Sequence, residues 1–282
     1  MTEARAEAIR RWYDENAARF RDAATVELAF IGMRPDEQYR LNRFKLWHLE
    51  QGGLVSLEGK HVLEFGCGHG RLAIEMKGYT SYHGVDISEE LVRIGRERMA
   101  RAGLSDRATL QAGNCLEFDA PAEHYDVVCS LGMFGNVDDA QQLLAKMVYH
   151  LKPGGVLFID GHVKSPVYAP LRWLKWRLRP PSGGVARLFG REEVASLLTR
   201  AGLTNVRVVM REFPLLGTLH ARQGWAWPLE LRNAMAQATI LGVLATDFVA
   251  VAQRPARAAV DAAVRASMLT GARPGEPKPH VL

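Results

Sequence analysis

Residues 62–72 (Val62-Leu63-Glu64-Phe65-Gly66-Cys67-Gly68-His69-Gly70-Arg71-Leu72) constrain the fold more than any other stretch of this chain. An apolar run of strand character passes into three glycines at alternate positions and then into a helical pattern. Glycine takes up positive φ easily and lets a ligand approach the main chain closely. A strand, glycine loop and helix in that order form the turn at which open α/β sheets bind nucleotides. Short apolar runs then alternate with helix-length segments: strands are expected at 61–65, 81–85, 108–112, 125–130 and 155–160, with helices near 70–77, 89–102 and 138–150. A helix over 191–202, a strand near 205–213 and a last strand over 246–253 follow. Such alternation predicts an α/β domain whose parallel sheet is covered by helices on both faces.

Two acids sharpen the nature of the ligand. Asp86 stands sixteen positions after Gly70 in Gly84-Val-Asp-Ile-Ser88, at the end of the second expected strand. A carboxylate there can accept from both hydroxyls of a ribose lying across the strand ends. Its other reading is a cap for the following helix, a role that Ser88 fits better. The glycine spacing is GxGxG, whereas the dinucleotide fingerprint is GxGxxG with a helix N-terminus aimed at a pyrophosphate. Glu64, two residues before the first glycine, would repel phosphate and suit a cationic amine. These residues point to a nucleoside that carries a positively charged amino acid.

The motifs resemble those of the class I S-adenosylmethionine-dependent methyltransferases of small-molecule type. Glu64-Phe-Gly-Cys-Gly-His-Gly70 is similar to their first motif and Asp86 to their ribose-binding acid. Gln111-Ala-Gly-Asn114 falls where the family has Gly-Asp beside the adenine. Tyr125-Asp-Val-Val-Cys-Ser130 resembles the fourth strand, and Leu151-Lys-Pro-Gly-Gly155 the turn before the fifth. The resemblance is strong over 61–161 and weaker over 191–254. In the N-terminal part, Trp12-Tyr13-Asp-Glu-Asn-Ala-Ala-Arg-Phe20 is similar to the segment that often closes over the cofactor.

The resemblance implies a Rossmann-like sheet of seven strands, mostly parallel with the last antiparallel, and S-adenosylmethionine as cofactor. The implied cofactor contacts are Glu64, Gly66, Cys67, Gly68, Gly70, Asp86, Ile87, Asn114, Cys115, Ser130, Leu131 and Tyr13. Asn114 departs from the usual Asp, but an amide can accept from the adenine amino group and donate to a ring nitrogen. The segment after the fourth strand, Leu131-Gly-Met-Phe-Gly-Asn136, has neither an Asn-Pro-Pro-Tyr signature nor a Pro-Cys pair. That lowers DNA methylation and the cysteine-dependent RNA C5 chemistry. Cys129, inside an expected buried strand, reads as a small core residue.

On this reading the chain divides into an N-terminal helical cap (1–60, with helices at 3–20 and 36–51), a catalytic domain (61–254) and a tail (255–282). A lid insert over 162–190 and a second insert over 214–245 interrupt the domain. A hydroxyl acceptor must lose a proton, and His162, just past the fifth strand, is the candidate base. Phe134, Asn136, Tyr168, Trp173 and Trp176 are the candidate acceptor contacts.

Composition sets outer limits. Three cysteines without CxxC spacing form no disulfide framework and argue against structural zinc, so no metal is expected. The charged N-terminus is not a secretory signal, and no uncharged apolar run approaches the roughly 20 residues that span a bilayer, so a cytoplasmic protein is expected. The net charge of +5 is unevenly spread. Residues 164–191 hold seven bases (Lys164, Arg172, Lys175, Arg177, Arg179, Arg187, Arg191) and no acid, and residues 254–282 hold five bases against two acids. The cofactor-binding part is therefore acidic. The basic insert, with Trp173 and Trp176, has three functional readings: a lid over an apolar or aromatic acceptor, a peripheral membrane contact, or a docking surface for RNA or protein. A solvated basic face with buried tryptophans is the plain alternative. The lid is preferred, nucleic acid is disfavoured, and the expected function is methyl transfer to a small apolar or aromatic metabolite at oxygen or nitrogen. A fold relative that binds the cofactor without catalysis is the remaining alternative. The oligomeric state is not legible.

Overall fold

The computed structural model describes residues 3–21, 56–76, 78–166, 170, 187–211, 245 and 247–257. The first helix, α1 (Glu3–Phe20), precedes β1 (His61–Phe65), α2 (Arg71–Glu75), β2 (Ser81–Asp86), α3 (Glu89–Arg101), β3 (Ala108–Ala112) and β4 (Tyr125–Ser130). A short 3-10 turn (Phe134–Asn136) leads to α4 (Ala140–His150), β5 (Leu151–His162), α5 (Arg191–Arg200), β6 (Thr204–Arg211) and β7 (Asp247–Gln253). The expected helix at 36–51, most of both inserts and most of the tail lie outside the described residues.

The seven strands form one sheet in the order β3-β2-β1-β4-β5-β7-β6. Strands β1 to β5 pair in parallel. The last strand, β7, inserts between β5 and β6 and runs antiparallel to both. Strands β1 and β4 are adjacent although not consecutive, and this is where the strand order reverses. A crevice opens there at the carboxyl ends, which is where such sheets hold ligands.

The central strands are buried on both faces, which explains why they read as continuous apolar runs. Leu63, Phe65, Val128, Leu157 and Ile159 pack with α4 and α5 on one face. Val62, Val127, Cys129, Val156 and Phe158 pack with α2 and α3 on the other. Strand β5 begins four residues before its expected start. Leu151 pairs with Tyr125 ahead of a register shift, and Gly154 and Gly155 exchange backbone hydrogen bonds with Arg254 at 2.9 Å. Those pairings absorb what reads in sequence as a free turn. Arg254 also donates to the Val148 carbonyl and to Glu123, so the first residues after β7 are clamped against the end of α4.

No described helix is long and apolar enough to cross a membrane. Among the described residues, no group of three or more His, Cys, Asp or Glu could hold a metal ion.

Two histidines near the amino edge of the sheet couple this packing to pH. Burial holds His83 and His150 below their ordinary value of 6.5. Unfolded, each takes up a proton near that value; folded, each resists until lower pH. Their stabilising contribution is therefore full above 6.5 and is lost as the pH falls below it. The urea midpoint is expected to fall between roughly pH 7.5 and pH 5.5, and His83→Gln should flatten that slope. An unchanged slope in the variant would remove His83 from the account.

Candidate functional site

The crevice at the carboxyl ends of β1, β2 and β4 is a cavity of about 970 Å³ including its open mouth. Its polar wall is built from β1 and β2. Glu64 is 2% exposed and accepts a hydrogen bond from the Tyr82 hydroxyl. Burial pushes its carboxyl up to about 7, against the opposing pull of Tyr82 and Arg71. The glycine loop folds over β2, with the Gly66 and Cys67 amides donating to the Val85 carbonyl at 2.7 and 3.2 Å.

Asp86 is held from behind. Its Oδ2 accepts from the Gly68 amide at 2.7 Å and its Oδ1 from the Ser88 amide at 3.0 Å. A carboxylate offers about four acceptor positions, so these two amides do not exhaust it. Burial raises its pKa while the two amides lower it. Capping of α3 falls to Ser88, whose hydroxyl accepts from the Leu91 amide at 3.1 Å. The two readings of Asp86 are thus divided between two residues.

Farther round the wall, Asn114 Oδ1 accepts from the Leu116 amide at 3.1 Å and its Nδ2 donates to Glu117 at 2.8 Å, so the amide plane is held in place. Cys67 and Cys115 face the same cavity. Burial pushes the Cys115 thiol up to about 12 and the Cys67 thiol well above its ordinary range. Both remain protonated, and they act as small wall surfaces rather than nucleophiles. The loop after β4 supplies Leu131, Gly132 and Met133. It is anchored by the Gly132 amide, which donates to buried Asp160 on β5 at 2.6 Å.

Helix α1 covers the mouth. Ile9 and Tyr13, one turn apart on one face, reach the cavity. Trp12 and Tyr13 pack against Ala17, Leu91 and Ile94. Asp14 accepts from the Ser88 hydroxyl at 2.6 Å and the Glu90 amide at 3.2 Å, adding a second cap to α3 from a distant helix. On the other side of the mouth, Arg5 pairs with Asp138.

Of the residues expected at the cofactor, the structure brings Glu64, Gly66, Cys67, Gly68, Asp86, Ile87, Asn114, Cys115, Leu131 and Tyr13 to one cavity, together with Asn136 from the acceptor set. It places others elsewhere. Gly70 precedes α2, and a Cβ there would meet Met99 and Leu110 at 2.8 and 2.9 Å, so this glycine serves helix packing. Ser130 is fully buried in β4. Phe134 is fully buried too, with its ring 5.0 Å from that of Phe189 and 6.4 Å from that of Phe248. It belongs to the core and not to an acceptor wall. His162 is paired through Nδ1 with Asp247 at 2.7 Å, where β5 and β7 meet; it is not among the cavity-lining residues. Tyr168, Trp173 and Trp176 lie outside the described residues. The wall also includes residues that the sequence reading did not assign to it, among them Ile9, Arg71, Met133 and Val137. Arg71 directly follows the glycine loop, a position that could have signalled it.

A protein-family model described as a methyltransferase domain matches residues 2–208, well over half of the chain. The chain belongs to this methyltransferase family. Among curated relatives, 27-O-demethylrifamycin SV methyltransferase of Amycolatopsis mediterranei is 29% identical over 154 residues, or 54% of this chain and 57% of that protein. Ubiquinone biosynthesis O-methyltransferase of Coxiella burnetii is 30% identical over 159 residues, or 55% of this chain and 65% of that protein. The chain therefore spans less than two thirds of either relative. In fold, the chain is similar to geranyl diphosphate C-methyltransferase from Streptomyces coelicolor, with a TM-score of 0.62 over 89% of this chain and 97% of that one, at 15% identity.

The cavity fits the cofactor of this methyltransferase class, S-adenosylmethionine. A Cβ at Gly66 would lie 2.6 Å from Met133 Cβ, so glycine there lets the loop after β4 close on the cradle. The carboxylates of buried Glu64 and half-buried Asp86, both on the cavity wall, suit an ammonium and a pair of hydroxyls.

Proposed function

We propose that this protein transfers the methyl group of S-adenosylmethionine to a small, apolar or aromatic metabolite at oxygen or nitrogen. The observation that carries the reading is the convergence of Glu64, the glycine loop, Asp86 and Asn114 on one cavity. Glu64 takes the cofactor's ammonium, Asp86 its ribose hydroxyls, and Asn114 its adenine beside Cys115. Bound there, S-adenosylmethionine supplies a methyl group on a sulfonium, an electrophile that already carries its leaving group. The protein must then align the acceptor with it and keep water out. Ile9 and Tyr13 from α1, with Met133 and Val137 opposite, give the mouth an apolar rim suited to both tasks. The relatives named above, whose names refer to ubiquinone biosynthesis and a rifamycin, support a small-molecule acceptor.

Two experiments test this reading. Calorimetry with S-adenosylhomocysteine tests the cofactor assignment, and absence of binding would end it. Incubation with methyl-labelled cofactor and a fractionated extract tests the acceptor class. Label is expected in the small-molecule organic fraction; label in RNA or protein would favour docking through residues 164–191, and label nowhere would favour a non-catalytic cofactor binder.

A hydroxyl acceptor also loses a proton. The His162–Asp247 pair, at the carboxyl end of β5, is the arrangement in which a carboxylate fixes the tautomer of an imidazole base. With an oxygen acceptor, His162→Ala is expected to lower kcat by about tenfold to a hundredfold and leave the cofactor Kd unchanged. Equal losses in both would make the pair structural.

A further inference from the structure

We propose that Tyr82 is a positioning residue for the ammonium site, its buried hydroxyl holding the Glu64 side chain as a carboxylate presented to the cavity. This rests on the reading of Glu64 as the contact to the cofactor's ammonium.

Glu64 on β1 lies beside Gly84 on β2, and Val62 lies beside Tyr82, so Tyr82 shares a face with Glu64 one step back along the neighbouring strand. Gly84 has no side chain, and a Cβ there would meet Leu110 and Cys67 at 2.7 and 2.8 Å. Leu110 and Cys67 thus fill the space beside Gly84, and the Tyr82 hydroxyl donates to Glu64 Oε2 from the same face. Tyr82 is 1% exposed and sits in the apolar layer with Val62, Met76 and Tyr79. Phenylalanine would fill that layer as well, and burying a hydroxyl is costly unless it is bonded. The hydroxyl is thus explained by the carboxylate that it meets. Tyr82 does not itself line the cavity.

The bond acts on proton occupancy as well as orientation. Burial pushes the Glu64 carboxyl up, to about 7, and the Tyr82 hydroxyl is the largest influence opposing that rise. The other groups facing it are the Arg71 guanidinium from α2, which favours the carboxylate, and Asp86 and Asp160 from β2 and β5, which oppose it. Burial keeps the Cys67 and Cys129 thiols protonated nearby. A cationic ligand needs the ionised form, so its uptake displaces a proton from Glu64. Affinity should therefore rise as the pH climbs through about 7 and then level off.

The test measures S-adenosylhomocysteine binding by calorimetry between roughly pH 6 and pH 8.5 in wild type, Tyr82→Phe and Glu64→Gln. Losing one charge-assisted hydrogen bond should move the midpoint of the Tyr82→Phe profile upward by about one pH unit, so that affinity falls about fivefold near pH 7 and little at the alkaline end. A uniform loss at every pH, or an unmoved profile, overturns the proposal. Replacement of Tyr82 by 3-fluorotyrosine keeps the ring and strengthens the donor. The profile should then move to lower pH even if Tyr82→Phe folds poorly, and an unmoved profile again overturns the proposal. Glu64→Gln separates the two layers: if it binds like wild type with the same profile, the ammonium reading fails and takes the proposal with it. If it loses the pH dependence while both Tyr82 variants keep the wild-type midpoint, only the role of Tyr82 fails.

Discussion

Asp86→Ala is expected to weaken S-adenosylhomocysteine binding by about a hundredfold to a thousandfold, the largest binding loss of any single substitution in this site. The magnitude follows from what the carboxylate holds. Two backbone amides, Gly68 and Ser88, donate to it at 2.7 and 3.0 Å. Asp86 also lines the cavity, where ribose hydroxyls would donate to it. Hydrogen bonds to a charged group contribute about 1.5–3 kcal/mol each, and two such bonds account for a change of that size. The amide contacts add to the loss indirectly, because the Gly68 amide ties the glycine loop to β2. Asp86→Asn keeps the shape and one acceptor, and should lose only about tenfold. Asp86→Ala should also lower the melting temperature, because the Gly68 and Ser88 amides lose their acceptor, and Asp86→Asn should lower it less. Calorimetry on both variants decides the matter: unchanged binding in Asp86→Ala would remove Asp86 from the site.

The parts of this site that were legible in sequence are those in which one residue's position follows from its near neighbours. Strands β1 and β4 match their expected limits because burial on both faces leaves a mostly apolar run, and β3, at the sheet edge, because buried and exposed residues alternate along it. Glu64 and Asp86 were readable because each lies at or next to the carboxyl end of a strand, shortly before the glycine loop or a helix start. Phe134 was misread because a loop has no periodicity to show which way a side chain turns. Its direction is set by Phe189 and Phe248, which arrive from distant segments. The second cap on α3 was invisible for the same reason: Asp14 lies 74 residues from Ser88, and only the docking of α1 brings them together. Arg71 and Met133 joined the wall without any motif of their own. Each follows a loop whose path, rather than its composition, decides what faces the cavity.

Gly66→Ala is expected to destabilise the fold by about 2–4 kcal/mol, from two separable causes. Gly66 has a φ of +79°, a conformation costly to any residue with a Cβ. That Cβ would also lie 2.6 Å from Met133 Cβ and 2.9 Å from its Cγ. Met133 cannot retreat easily. The preceding amide, at Gly132, is tied to Asp160 at 2.6 Å, and the Met133 carbonyl accepts from the Asn136 amide at 2.8 Å. Gly59 isolates the first cause, because its φ is +74° and a Cβ there would meet nothing within 4 Å. Gly59→Ala should therefore cost only about 1 kcal/mol. For a chain of this length the melting temperature should fall by about 2–4 °C per kcal/mol, which makes the two variants distinguishable. Met133→Gly removes the atoms that clash, so the double variant Gly66→Ala/Met133→Gly should be more stable than the two single losses predict, recovering the steric part and leaving the backbone part. If Gly66→Ala melts no lower than Gly59→Ala, the loop after β4 yields freely, and the close approach of Met133 to the glycine loop does not shape the cavity.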